Sequence, residues 1–394
     1  MTKSVLAQFG PAIVPTILFF TTAIFAQVNA VYIESNVGQV PGKNSVFALK
    51  NDGEGNLTPI KGSPFLTGGT GVFEMNSVFA PGFSADQEIV VSAAGTLLFA
   101  VNGDSDTITS FAINSDGSLT NLATATSNGQ DPVSIGLDEI SPAGPQMTVV
   151  NQANDPKQTG GVPNATSFTV DLTTGILTPV ANSTVTFPTG PSQALVSPSG
   201  KFVFIPAGST LYSYSVGAGG LLILNNTQSG GGFNGEAANP KQRALYVGIA
   251  AVNQFAVDTY NMLGDVALSR TVVDPGSLPC WFTIDSAGTH LYVVESGTRT
   301  LTLYNIGGAN FLNPQQVQHL TLSAGTDEPT NLKLDPTGQF LYVLGLQPNG
   351  QTPGNFLHVL KVSSTDGTLT ETQTPIKIPV HNGEVPMGLA VVMK

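Results

Sequence analysis

The chain has 394 residues and a formal net charge of −12, yet only 10% of its residues are charged. That balance argues against nucleic acid and anionic membranes as partners. Its one cysteine, Cys280, excludes an internal disulfide framework, so stability must come from burial and backbone pairing.

The first thirty residues stand apart. Lys3 precedes an apolar run from Ile13 to Phe25, and the segment ends in Val28-Asn29-Ala30, a small-x-small cleavage signature. This predicts a signal peptide over 1–30, cut between Ala30 and Val31. The apolar run, interrupted by Pro15, is shorter than the roughly 20 residues a membrane-spanning helix needs. The mature chain, 31–394, is expected to be one soluble, monomeric domain, secreted or periplasmic.

After the leader come two strand-like stretches, "AVYIESN" and "NSVFALKNDGEGNLT". The segment 61–86 has no clear pattern. Then one motif repeats: "SAAGTLLFAV" from Ser92, "SPSGKFVFIP" from Ser197, "DSAGTHLYVV" from Asp285 and "DPTGQFLYVL" from Asp335. A copy around Gly144 and a degenerate one, "NPKQRALYVG" from Asn239, complete the series. Each copy joins an apolar stretch to a strand through a glycine turn. A second strand follows, and often a third after an Asp-Gly turn such as "NSDGSLTNL" or "STDGTLTET". Strands such as Thr300–Tyr304 alternate with period two. The copies recur at roughly 42 to 56 residues, the period of a β-propeller blade of about four strands.

The C-terminal "EVPMGLAVVMK" supplies an apolar stretch with no following strand, while residues 31–60 supply the strands without that stretch. The two halves complete one blade, with Met387–Val392 innermost. The predicted fold is therefore all-β: a seven-bladed β-propeller of four-stranded antiparallel blades, closed by pairing the C-terminal strand with the N-terminal blade. An eighth blade would need strands hidden in 61–86.

The blade grammar resembles the lactonase-type seven-bladed propellers, best known for the propeller-type 6-phosphogluconolactonases. "EPTNLKLDPTGQFLYVL", "LPCWFTIDSAGTHLYVVESGTRTLTLYNI", "DGSLT" and "DGTLT" carry the likeness, which extends over essentially all of 31–394. The resemblance implies lactone hydrolysis at a channel mouth, with His and Arg at the loops that enter the inner strands. This chain has Ser134, Gln193, Trp281, Asn331 and Gly388 there, and "IPAGSTLYSY" where the family has P-D-L-G-x-D. Glu295, in "YVVESGTRT", matches an acidic residue of the family.

In a propeller, the loop entering each inner strand shares a face with the loop leaving the second strand. The first set contains Gln193, Trp281 and Asn331; the second contains Glu34, Asn102, Asn151 and Glu295. Glu34, Asn102, Asn151, Gln193, Trp281 and Asn331 are the expected ligand-contacting residues, with a small molecule or glycan at the mouth. Glu295 and His381 are the expected acid–base groups. His381 is the histidine nearest the predicted mouth, whereas His290 is expected at a blade edge and His319 and His358 half-exposed in strands. Trp281, the sole Trp, fits a core position or a platform for a sugar ring. No cofactor is required by the pattern; Ca²⁺ on Glu34, Glu295, Asn102 and Asn151 is the one metal arrangement it allows. Cys280 reads as a small buried hydrophobe. Two functions follow: an exported lactonase-like hydrolase, or a non-catalytic propeller binding a glycan, peptide or protein.

Overall fold

The computed structural model describes residues 1, 29–72, 88–249, 252–323, 328–346, 355–380 and 386–393. The signal-peptide expectation falls almost wholly outside these, as does His381. Seven antiparallel sheets are arranged as seven blades. Blade 1 runs outward through Met387–Met393, Asn29–Glu34, Ser45–Asn51 and Leu57–Pro59. Blades 2 to 7 follow in chain order, with second strands Leu97–Asn102, Gln146–Asn151, Phe202–Ala207, Ala244–Ile249, His290–Glu295 and Phe340–Leu346. The described residues contain no α-helix, only two short 3-10 turns, Ala218–Gly220 and Gly308–Leu312.

The closure is as expected. Tyr32 pairs with Ala390, Ile33 with Leu389 and Val31 with Val391. The strand begins at Asn29, opposite Met393, so removal of residues 1–30 would take away two ladder positions. The segment that resisted reading adds Phe65–Leu66 to the edge of blade 1, against Ser45 and Val46.

The burial pattern explains why each repeat reads as it does. The second strands are enclosed on both faces; Leu97–Asn102 is buried at all six positions. They therefore read as unbroken apolar runs rather than alternations. The outer strands show one face to water, and Leu119–Thr126 alternates accordingly. The buried apolar residues form seven clusters, one at each blade–blade boundary. No blade could bury both faces alone. The glycines of the inner turns, Gly95, Gly200, Gly288 and Gly338, have φ of +64 to +70°, a conformation that favours glycine.

Tyrosines tie neighbouring blades. The second-strand hydroxyls of Tyr32, Tyr246 and Tyr292 each donate to a carbonyl in the next blade's outer region, at Gly117, Phe311 and Gly367. Tyr342 takes the same place at the seam, where it accepts from the Asn51 side chain.

Candidate functional site

The register places the residues singled out above at one face. Glu34 stands opposite Met387, Asn151 opposite Pro132 and Glu295 opposite Pro279, each at the end of a second strand. These three, with Asn102, are buried. Asn44 donates through Nδ2 to Glu34 Oε1 (2.7 Å) and to Asn102 Oδ1 (3.0 Å), so these two meet in one network between blades 1 and 2. Asn102 in turn donates to the hydroxyls of Thr107 and Thr109. Asn151 donates to Asn164 Oδ1 at 2.9 Å within blade 3.

Loop glycines press on this layer. A Cβ on Gly69, Gly129 or Gly276 would come within 2.3–2.5 Å of Asn102, Asn151 or Glu295 respectively. Only a bare backbone can pass that close.

Glu295 lies beside Asp274, Thr300 and Thr302. Burial, with the nearby Asp274 charge, pushes its carboxyl well above the usual range, and the threonine hydroxyls only partly oppose this. Asp274 accepts from Tyr304 Oη at 2.7 Å. Burial likewise pushes Glu34 well above the usual range, against the Asn44 hydrogen bond.

The inner-strand residues are also built in. Gln193 clamps blade 5 to blade 4: its Oε1 accepts from the Glu236 amide (2.6 Å) and its Nε2 donates to the Glu236 carbonyl (3.1 Å). Trp281 is 3% exposed, packed in the cluster between blades 6 and 7 with its ring across Gly235. Asn331 is buried on the wall of a 400 Å³ cavity. Ser134 accepts from the Ala194 amide. Cys280 is buried, and burial pushes its thiol up to about 11, which keeps it un-ionised and unreactive.

Glu34 and Asn102 share a network that neither Asn151, in blade 3, nor Glu295, in blade 6, joins. Among the described residues no three His, Cys, Asp or Glu side chains are grouped to hold a metal ion.

One histidine differs from the sequence expectation. His358 is fully buried, not half-exposed, with Nδ1 2.7 Å from Glu371 Oε1. His290 lines a cavity on the opposite side of the ring from the strand-end layer. This cavity, about 720 Å³, runs from Gln193 and Glu236 in the channel to the inner turns at Asp285–Thr289 and Asp335–Gln339. His290 Nδ1 is 2.9 Å from Asp285 Oδ2. Lys333 reaches the wall of both cavities. Sequence reasoning overlooked this face because the inner turns appeared only as repeat punctuation.

Residues 43–193 match the model of the family described as lactonase, 7-bladed beta-propeller. No curated protein matches the sequence. Solved structures share the whole fold at low identity. The periplasmic gluconolactonase PpgL of Pseudomonas aeruginosa is 15% identical with a TM-score of 0.69, covering 93% of this chain and 99% of that one. A Bacteroides uniformis ATCC 8492 protein ascribed 6-phosphogluconolactonase activity gives the same identity, score and coverage. Chaetomium thermophilum Sqt1, solved bound to the N-terminus of ribosomal protein L10, is 13% identical with a TM-score of 0.57, covering 94% and 93%.

Proposed function

We propose that this lactonase-type seven-bladed propeller is an exported hydrolase that opens a sugar or related lactone in its axial channel. The observation that carries the reading is the 720 Å³ cavity in that channel, edged by carboxylates, hydroxyls, a histidine and a lysine. Its volume falls in the range of small-ligand sites, roughly 300–1,000 Å³. The fold shared with a periplasmic gluconolactonase supports the reaction class. The leader that the sequence predicts over 1–30 supports export. Lactone opening needs a base for water and donors for the developing oxyanion. On the entering-loop face the candidates for acid–base work are Glu295 and His381, with Glu34, Asn102, Asn151, Gln193, Trp281 and Asn331 around them.

A second reading is favoured by the enclosure of that layer. Glu34 and Glu295 are about 1% exposed or less, so what that face offers a partner is surface rather than an open acid–base group. A propeller binding a glycan, peptide or protein would use it so.

The test is a lactone hydrolysis screen on the purified chain beginning at Val31, followed by proton release, with and without chelator. Turnover of a sugar lactone is expected. If the protein is folded by circular dichroism and no lactone is opened, the hydrolase reading fails and the binding reading stands.

A further inference from the structure

We infer that His290, oriented by Asp285 at the turn-face end of the axial cavity, is the general base that activates water for lactone opening. This inference rests on the hydrolase reading above and assigns its base to the face opposite Glu295 and His381.

The repeat itself makes His290 anomalous. The copy around Gly144 has Gln146 at the equivalent position, and the other copies of the motif have Leu97, Phe202 and Phe340. They are 2%, 7% and 4% exposed, as a core position should be. The packing slot is the same. A Cβ on Gly264 would lie 2.5 Å from Phe202, one on Gly55 2.7 Å from Phe340, and one on Gly367 2.7 Å from His290. In each case the turn glycine of the next blade covers the ring. Blade 6 puts an imidazole in a slot that is apolar in blades 2, 4 and 7 and holds Gln146 in blade 3; that imidazole is 24% exposed and lines the cavity.

The turn does not need the histidine. Asp285 braces it by accepting from the amides of Thr289 (2.7 Å) and His290 (3.1 Å). Asp335 does the same for its own turn from the Gln339 amide, with Phe340 following. The extra contact in blade 6 is His290 Nδ1 to Asp285 Oδ2, beside Thr289 Oγ1, which donates to the same oxygen at 2.6 Å. With Nδ1 donating to a carboxylate, Nε2 is the ring's lone-pair nitrogen. A base oriented by an acceptor on its far side is the arrangement that hydrolytic sites converge on.

The chemistry closes without a further reactant. Nε2 takes a proton from water as the oxygen bonds to the lactone carbonyl carbon. The tetrahedral oxyanion collapses, the ring C–O bond breaks, and the imidazolium returns its proton to the leaving alkoxide. The product is the open hydroxy acid. The hydroxyls of Ser286, Ser363 and Ser364 and the Lys333 ammonium on the same cavity wall suit a hydroxylated ring.

The test uses an aldono-δ-lactone as probe with wild type, His290→Phe, His290→Ala and Asp285→Asn. His290→Phe restores the residue type the repeat uses, so it should fold with an unchanged or higher Tm while kcat falls by about 10²–10⁴. His290→Ala should regain activity with added imidazole, which a packing role would not allow. Asp285→Asn should lower kcat with little change in KM. A wild type that opens the lactone together with a folded His290→Phe variant within about threefold of it overturns the inference and leaves the hydrolase reading intact. A wild type that opens no lactone overturns both.

Discussion

The side-chain amide of Asn51 donates to the hydroxyl of Tyr342 across 291 positions of sequence, joining the first and last blades where the ring closes. The same Asn51 accepts from the amide of Gly53 through Oδ1, so it braces its own turn while reaching over the seam. This bond acts at the seam beside the apolar cluster between blades 7 and 1 and the strand pair Asn29–Glu34 with Met387–Met393.

Their contributions should differ greatly. Tyr342→Phe removes the acceptor of one buried amide, an expected loss of about 1–2 kcal/mol in urea unfolding. Deletion of 387–394 strips the inner strand of blade 1 and exposes Tyr32, Val31 and Ile33, which are buried in the native ring. That truncation should leave no cooperative transition. A truncated chain that unfolds cooperatively would show that the ring does not depend on its clasp.

The fold was legible because the repeat writes its own geometry. The turn glycines, the doubly buried "LYVV" strands and the split blade each follow from a local pattern. The site was less so. Glu34, Asn102, Asn151 and Glu295 stand at the strand ends that the alternation predicts. Their enclosure depends on Gly69, Gly129 and Gly276, loop backbones from other parts of the chain, and no local period encodes that approach. His290 carried a signal that was visible: aligned with Leu97, Phe202 and Phe340 it sets an imidazole in a column that is otherwise apolar except for Gln146.

Asp131 gives a pH prediction. Burial is the main cause that pushes its carboxyl up to about 7; the Asn154 amide partly opposes, and Asp155, Asp106 and Asp104 add to the rise. Unfolded Asp titrates near 3.9. Between about pH 4 and pH 7 the native state keeps a proton that the unfolded chain has released, so stability from this group declines as pH rises through that window. Asp131→Asn removes the titration and keeps an acceptor for the Asn154 amide; Asn also tolerates the φ of +58° found here. Tm should rise on substitution at pH 8 and change little at pH 4.5. A variant with the larger gain at pH 4.5 would contradict the burial argument.

The Glu295–Asp274 pair leads to a second, separable expectation. Burial and the nearby Asp274 charge push the Glu295 carboxyl well above the usual range, so Glu295→Gln is expected to supply a neutral group of nearly the same shape. Stability at pH 7 should stay within about 1 kcal/mol and improve relative to wild type as pH rises. Glu295→Ala should instead cost about 2–4 kcal/mol, since it opens a cavity and strips Asp274 of a buried partner. Thermal melts of both variants at pH 6 and pH 9 distinguish the two effects; equal losses would mean that the carboxyl is ionised and needed as such.

Trp281 permits an optical test of how closed the entering-loop face is. It is the chain's sole tryptophan and is 3% exposed, with its ring across Gly235. Emission of the folded protein should be blue-shifted, insensitive to iodide, and shifted red in one step on unfolding. Gly235→Ala sets a methyl 2.4 Å from the Cys280 carbonyl oxygen and 2.8 Å from the indole, neither of which can yield cheaply. That variant should lose about 1–3 kcal/mol, the cost of overpacking, with its emission displaced toward the red before unfolding. Efficient iodide quenching of the native wild type would instead make Trp281 a surface platform, and a sugar ligand would then be expected to alter its emission directly.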